Sequence, residues 1–129
     1  MVTDRDATAT GGAAAEALPA LAAREIETRE RFEALEAQLR GVVEAAAGSN
    51  ADDEHDPEGA TLAFERQQLV ALLRQAEAEL AELGAARERV NAGTFGRCEA
   101  CGGEIGAGRL AARPTARTCI ACAASGRGG

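Results

Sequence analysis

Between Leu18 and Ala47 one set of positions returns at alternating steps of three and four: Leu18, Leu21, Glu25, Thr28, Phe32, Leu35, Leu39, Val42 and Ala46. Steps averaging three and a half residues draw a single stripe down an α-helix, the seam of a coiled coil. Pro19 stands near the expected helix start, and Gly41 is the other interruption. Gly48-Ser49-Asn50 closes the run, with Gly48 suited to the left-handed C′ position. A second stripe follows at threes, fours and their sums, through Leu62, Leu69, Leu73, Ala76, Leu80, Leu83 and Val90, and Asn91-Ala92-Gly93 ends it. Charged residues such as Glu65-Arg66 and Arg87-Glu88-Arg89 fill the outer faces, as on a solvated helix surface.

Each stripe runs for about 30 residues, or roughly 45 Å of helix at 1.5 Å per residue. Neither stripe is stable while exposed, and the connection of about a dozen residues lets the helices fold back on each other. The prediction is an all-α antiparallel helical hairpin over residues 18–93, with an acidic tip at 48–60. Self-association into a parallel multimer satisfies the same periodicity, which does not choose between them. Residues 1–17 are small and polar and read as a flexible tail; residues 124–129 read as a second one.

Composition limits what else the chain can build. Phe32, Phe64 and Phe95 are its only aromatic residues, too few for a thick globular core. The net charge of −7 argues against sequence-independent nucleic-acid binding, where phosphate neutralisation supplies most of the affinity. Direct sequence-specific DNA binding is not expected either. No apolar run approaches the ~20 residues of a membrane span. The N-terminal stretch has an acid at Asp4 and no apolar h-region, unlike a signal peptide, so a cytoplasmic setting is expected.

That setting bears on the four cysteines. Cys98 and Cys101 form one C-x-x-C, Cys119 and Cys122 a second, with 17 residues between them. This spacing is that of a zinc site, because two intervening residues let a tight turn present both sulfurs to one tetrahedral ion. Gly102-Gly103 suits such a turn. Phe95, Ile105, Leu110 and Ile120 are too few to order about 30 residues without a cross-link, whereas structural zinc contributes on the order of 10 kcal/mol to such folds. A redox dithiol needs only one C-x-x-C and a thioredoxin-like βαβ setting, which is absent. Four sulfurs close the coordination shell, so one structural zinc in a small Cys₄ finger at 94–123 is expected. Formal charge is divided unevenly. Residues 94–129 hold five Arg against Glu99 and Glu104, a side-chain sum of +3, while residues 48–59 hold −5. A dipolar chain of this kind suits oriented docking on a protein partner.

In SNADDEHDPEGAT, residues 49–61, the acids divide by local duty. Asp56 is a favoured N-cap, Pro57 suits the first helical position, and Glu58 complements the helix dipole. Asp52, Asp53 and Glu54 have no such duty. A calcium loop would need glycine at a fixed turn position, which this stretch lacks. His55 reads as a solvent-exposed turn residue. No nucleophile, base and orienter come together, so the chain is not expected to be an enzyme.

The finger resembles a known family. Phe95-Gly96, Cys98-Glu99-x-Cys101-Gly102, Ile105, Arg109-Leu110, Ala112-Arg113-Pro114 and Cys119-x-x-Cys122 resemble the zinc finger of the DksA/TraR family, and the hairpin extends the likeness more loosely to about residue 20. The resemblance implies a transcription regulator that binds bacterial RNA polymerase and directs its coiled-coil tip into the secondary channel. The family's tip carries two acids three apart and an alanine two positions later. Counted back from Cys98, the alanine falls on Ala60 and the second acid on Glu58, while the first falls on His55. Asp53 and Asp56 are three apart, but Glu58 stands where the alanine would follow. The tip candidates are therefore Asp52, Asp53, Asp56, Glu58 and Ala60. The sequence ends seven residues after Cys122, without the C-terminal helix of longer members, and alarmone binding is not inferred. The alternative on the residues alone is a zinc-stapled coiled-coil adaptor for another protein.

Overall fold

A computed structural model of the chain describes residues 2–48 and 57–126, with side chains from residue 12 onward. It contains four helices among these residues: α1 (Val2–Gly48), α2 (Pro57–Ala92), α3 (Ala107–Ala112) and α4 (Ile120–Ala124). No strand occurs among them beyond an isolated antiparallel bridge between Arg97 and Glu104. α1 and α2 form an antiparallel helical hairpin, and a small cysteine-rich finger follows. The chain divides into two compact units, one made of residues 1–25 with 81–129 and the other of residues 26–80.

In the second unit the expected seam is in place as far as Val42, while Ala46 is exposed. Thr28, Leu35, Leu69 and Ala76 are buried, and Phe32, Leu39, Val42, Leu62, Leu73 and Leu80 are half-buried beside them. Arg31 of α1 pairs with Glu79 of α2, while Val42 shares a groove with Leu62 and Leu69. Rising numbers on one helix meet falling numbers on the other, which is the antiparallel arrangement. Two helices have only one seam to share, so apolar side chains off it stay in solvent. Phe64 is 61% exposed for this reason.

The first unit has the denser core. Leu21, Leu83 and Ala86 of the helices join Phe95, Cys98, Ile105, Leu110, Ala116 and Cys122 of the finger in one buried cluster. Phe95 is the largest fully buried side chain in the chain's described part. Ala13, Ala14 and Ala17 also lie against this cluster. The segment read as a tail up to residue 17 is therefore helical from Val2, and from Ala13 it is docked. Its alanines have the best helix propensity of any residue and are small enough to let a neighbouring surface approach closely. Pro19, expected near the helix start, lies inside α1, where it forfeits one backbone hydrogen bond. Gly48 is also corrected: it is the last helical residue and does not adopt positive φ.

The end of α2 follows the expected punctuation. Gly93 takes φ +77°, and its N–H donates to the Val90 carbonyl at 3.2 Å. Thr94 N–H donates to the Arg89 carbonyl at 2.9 Å. These two bonds form a Schellman motif, satisfying carbonyls that the helix leaves orphaned. Phe95 N–H donates to the same Arg89 carbonyl at 3.1 Å, so the finger begins with no slack after the helix.

Two glycines of α2 and its cap should respond in opposite directions to alanine. Gly93→Ala forces a side chain into the left-handed region and should lower stability by about 1 kcal/mol. Gly84 is helical, and an added Cβ there meets nothing within 4 Å. Gly84→Ala should therefore raise stability by about 0.5–1 kcal/mol. Thermal unfolding of the two variants beside the wild type reads both signs.

Candidate metal centre

The finger begins with a turn that only particular residues permit. Ile105 N–H donates to the Gly96 carbonyl at 2.8 Å, and Cys98 N–H donates to the Gly103 carbonyl at 2.7 Å. Between these bonds the chain reverses with Gly102 N–H donating to the Cys98 carbonyl at 2.9 Å and Gly102 at φ +76°. Gly103 N–H donates to Cys101 Sγ at 3.4 Å, and a Cβ on Gly103 would itself lie 3.4 Å from that sulfur. Glycine at 102 thus permits the left-handed turn, and glycine at 103 brings an amide hydrogen toward sulfur. Gly96, at φ +86°, lets Leu110 close over the turn.

The second pair sits at the start of a short helix. Cys119 precedes α4 in an extended conformation and Cys122 lies in its first turn, held by Ala123 N–H donating to the Cys119 carbonyl at 2.9 Å. Two braces join the halves of the finger. Arg109 Nε donates to the Thr118 carbonyl at 2.8 Å, and Glu99 N–H donates to the Arg117 carbonyl at 2.9 Å. Arg117 also grips Glu82 of α2 through two nitrogens at 3.1 and 3.3 Å, and this pairing raises its pKa. Arg89 donates to the Thr115 carbonyl at 3.4 Å; burial and the neighbouring Arg117 lower its pKa.

These elements bring all four cysteines together. Their sulfurs lie within 4.8 Å of one another, and Cys101 Sγ is 3.9 Å from Cys119 Sγ. None is in a disulfide. A zinc ion with four bonds of about 2.3 Å needs sulfurs about 3.8 Å apart, so the cluster has the dimensions of a tetrahedral thiolate site. Cys98 and Cys122 are buried, Cys119 is half-buried and Cys101 is exposed.

The sulfurs share charge unequally when no metal neutralises it. Backbone hydrogen bonds at Cys119 and Cys101 hold the Cys98 thiol down to about 6. Hydrogen bonding to Cys119, burial and the neighbouring thiols push Cys122 up to about 12. One sulfur is thus a ready thiolate at neutral pH, and another must give up its proton to a metal.

Ile120, counted among the finger's apolar residues, is 66% exposed; Pro114, Ala116 and Thr118 are buried instead. The position right after Cys119 faces outward because the helix turn directs Cys122 inward. Of the tip residues, Glu58 and Ala60 lie exposed in the first turn of α2, whose first residue is Pro57. Thr61 Oγ1 donates to the Pro57 carbonyl there at 2.9 Å. Asp52, Asp53 and Asp56 lie outside the described residues. Arg109 stood out in the sequence only through the resemblance and Arg117 not at all, since an arginine that will donate to a carbonyl looks like any surface charge.

Cysteines of this geometry, set at the base of a helical hairpin, define a C4-type zinc-finger protein with one structural zinc. Residues 93–125 match the prokaryotic dksA/traR C4-type zinc finger. The chain is 34% identical over 98 residues to the RNA polymerase-binding transcription factor DksA of Escherichia coli K12, covering 73% of this chain and 65% of that protein. It is 36% identical over 69 residues to the factor of the same name from Haemophilus influenzae, covering 51% of this chain and 48% of that protein. The match thus spans from about half to just under two thirds of these relatives' length. The solved structure of transcription factor DksA2 from Pseudomonas aeruginosa superposes with a TM-score of 0.76 at 25% identity, covering 89% of this chain and 83% of that one. The cysteine-rich segment is thus a finger of the dksA/traR C4 type, and the fold that carries it is similar to that of DksA2.

Zinc affinity should fall with falling pH. Metal binding must displace the Cys122 proton at any pH below about 12, and below about 6 the Cys98 proton as well. Competition with a chromophoric chelator at pH 7.5, 6.5 and 5.5 should show weakening at each step, steepest in the last. Amide hydrogen exchange at Cys98, Ile105 and Leu110 should accelerate when the metal is chelated.

Proposed function

We propose that this chain binds RNA polymerase and regulates transcription, with the hairpin's acidic connection directed into the polymerase secondary channel. The observation that carries the reading is the match of the chain to proteins named as RNA polymerase-binding transcription factors, joined by the likeness of its finger to the dksA/traR zinc finger and of its fold to transcription factor DksA2.

The chain's chemistry supports the same assignment. Zinc serves to hold the finger's two halves, and the closed set of four thiolates leaves no position for a substrate. No catalytic step is assigned to the chain. Recognition is electrostatic at the tip, where Asp52, Asp53, Asp56 and Glu58 bring carboxylates to a partner's cationic or metal-bearing channel. Ala60 lies two residues beyond Glu58, at the position where the family has its tip alanine. Because His55 takes the place of the first acid in that register, Asp53 and Asp56 supply the forward charge. No described helix is long and apolar enough to cross a membrane. The site of action that goes with the proposal is the cytoplasm, and the proposal requires no direct sequence-specific contact with DNA.

The test is a polymerase pull-down and an in vitro transcription assay with wild-type protein and with the triple variant Asp53→Asn, Asp56→Asn, Glu58→Gln. Wild-type protein should be retained at micromolar concentration and change promoter output. The variant should lose the transcriptional effect with zinc content and helicity unchanged. No retention of the wild type would overturn polymerase as partner, and a fully active variant would overturn the acidic tip as effector.

A further inference from the structure

Leucine and alanine make most of the seam between α1 and α2 in the first unit, with Leu21, Leu83 and Ala86 at its centre. Such residues pack almost as well one heptad up or down, so they set little register on their own. One residue in the seam differs in kind. Glu25 occupies a heptad position with its side chain 9% exposed, and its Oε2 accepts a 2.9 Å hydrogen bond from Arg87 Nη1. Its other oxygen, Oε1, is buried with no hydrogen-bond partner.

A buried carboxylate with one free oxygen is unfavourable, and a cation within reach only offsets the cost. The arrangement needs a reason other than stability. We propose that Glu25 and Arg87 are the register lock of the hairpin, selecting the antiparallel alignment against slipped and self-associated ones.

The sequence around Arg87 shows why the lock has one setting. Steps of three, four and seven from Arg87 reach Leu80, Leu83, Gly84, Val90 and Asn91 of α2 and Thr94 just beyond it, none of them charged. A slip of one heptad, about 10 Å along the helix, would leave the carboxylate facing an apolar or neutral position. In-register parallel pairing of α1 with a second α1 would set Glu25 against its own copy, a repulsion between like charges. Only the observed pairing supplies a cation. Arg87 is itself about half exposed, so it keeps water on its outer side while serving the buried partner.

The test uses the full, zinc-loaded chain as wild type, Glu25→Leu and Arg87→Leu. Amide resonances counted by NMR, mass from light scattering and the melting temperature are compared. Glu25→Leu should melt no lower than the wild type, yet show extra sets of amide resonances for α1 and α2, or a higher mass. Arg87→Leu leaves the carboxylate buried without its cation and should melt several degrees lower. One resonance set at wild-type mass in Glu25→Leu would overturn the proposal. So would a lower melting temperature for Glu25→Leu, which would make the pair a source of stability, or an unchanged one for Arg87→Leu.

Discussion

A pair of helices can hide only what lies between them. Every other feature of this protein answers to that restriction. Among the described residues of the second unit the seam is the only shared surface, and Phe64, Val43 and Leu72 remain in solvent off it. In the first unit the finger supplies the missing layer, but with few apolar side chains of its own. Four sulfurs drawn within 4.8 Å stand in for the bulk that aromatic residues give to larger cores. Cys98 and Cys122 belong to the same buried cluster as Leu21 and Leu83, so the metal centre and the hydrophobic core are one object.

This union shapes the electrostatics. A Cys₄ zinc centre carries formal charge −2, and the neighbouring arginines are turned mainly to structural work. Arg109 spans the finger to the Thr118 carbonyl, and Arg117 ties it to Glu82 of α2. The second contact is exposed and contributes no more than about 1 kcal/mol. Its value is directional, since two nitrogens on one carboxylate fix an orientation.

Features governed by local chemistry were legible in the sequence. The cysteine spacing, the glycines after Cys101, the stop at Gly93 and the start at Pro57 each follow from the needs of a few neighbouring atoms. The seam was legible too, because its period is set by the helix itself. What escaped depended on distant surfaces. Residues 13–17 look like a tail until the finger core gives Ala13, Ala14 and Ala17 something to lie against. Ile120 looks like core until the turn of α4 is known. Glu25 was one position of the stripe like the others, and its role needed Arg87, 62 residues away.

The joint at Arg89 has a mechanical consequence. Its carbonyl accepts hydrogen bonds from both Thr94 and Phe95, and Phe95 is then sunk in the core. A swivel at this point would have to break the helix cap and extract the largest buried ring together. The finger is therefore a handle fixed to α2 rather than a pendant swinging from it. A partner that grasps the finger takes hold of the helix end as well, and it does so without first having to quench the motion of a linker.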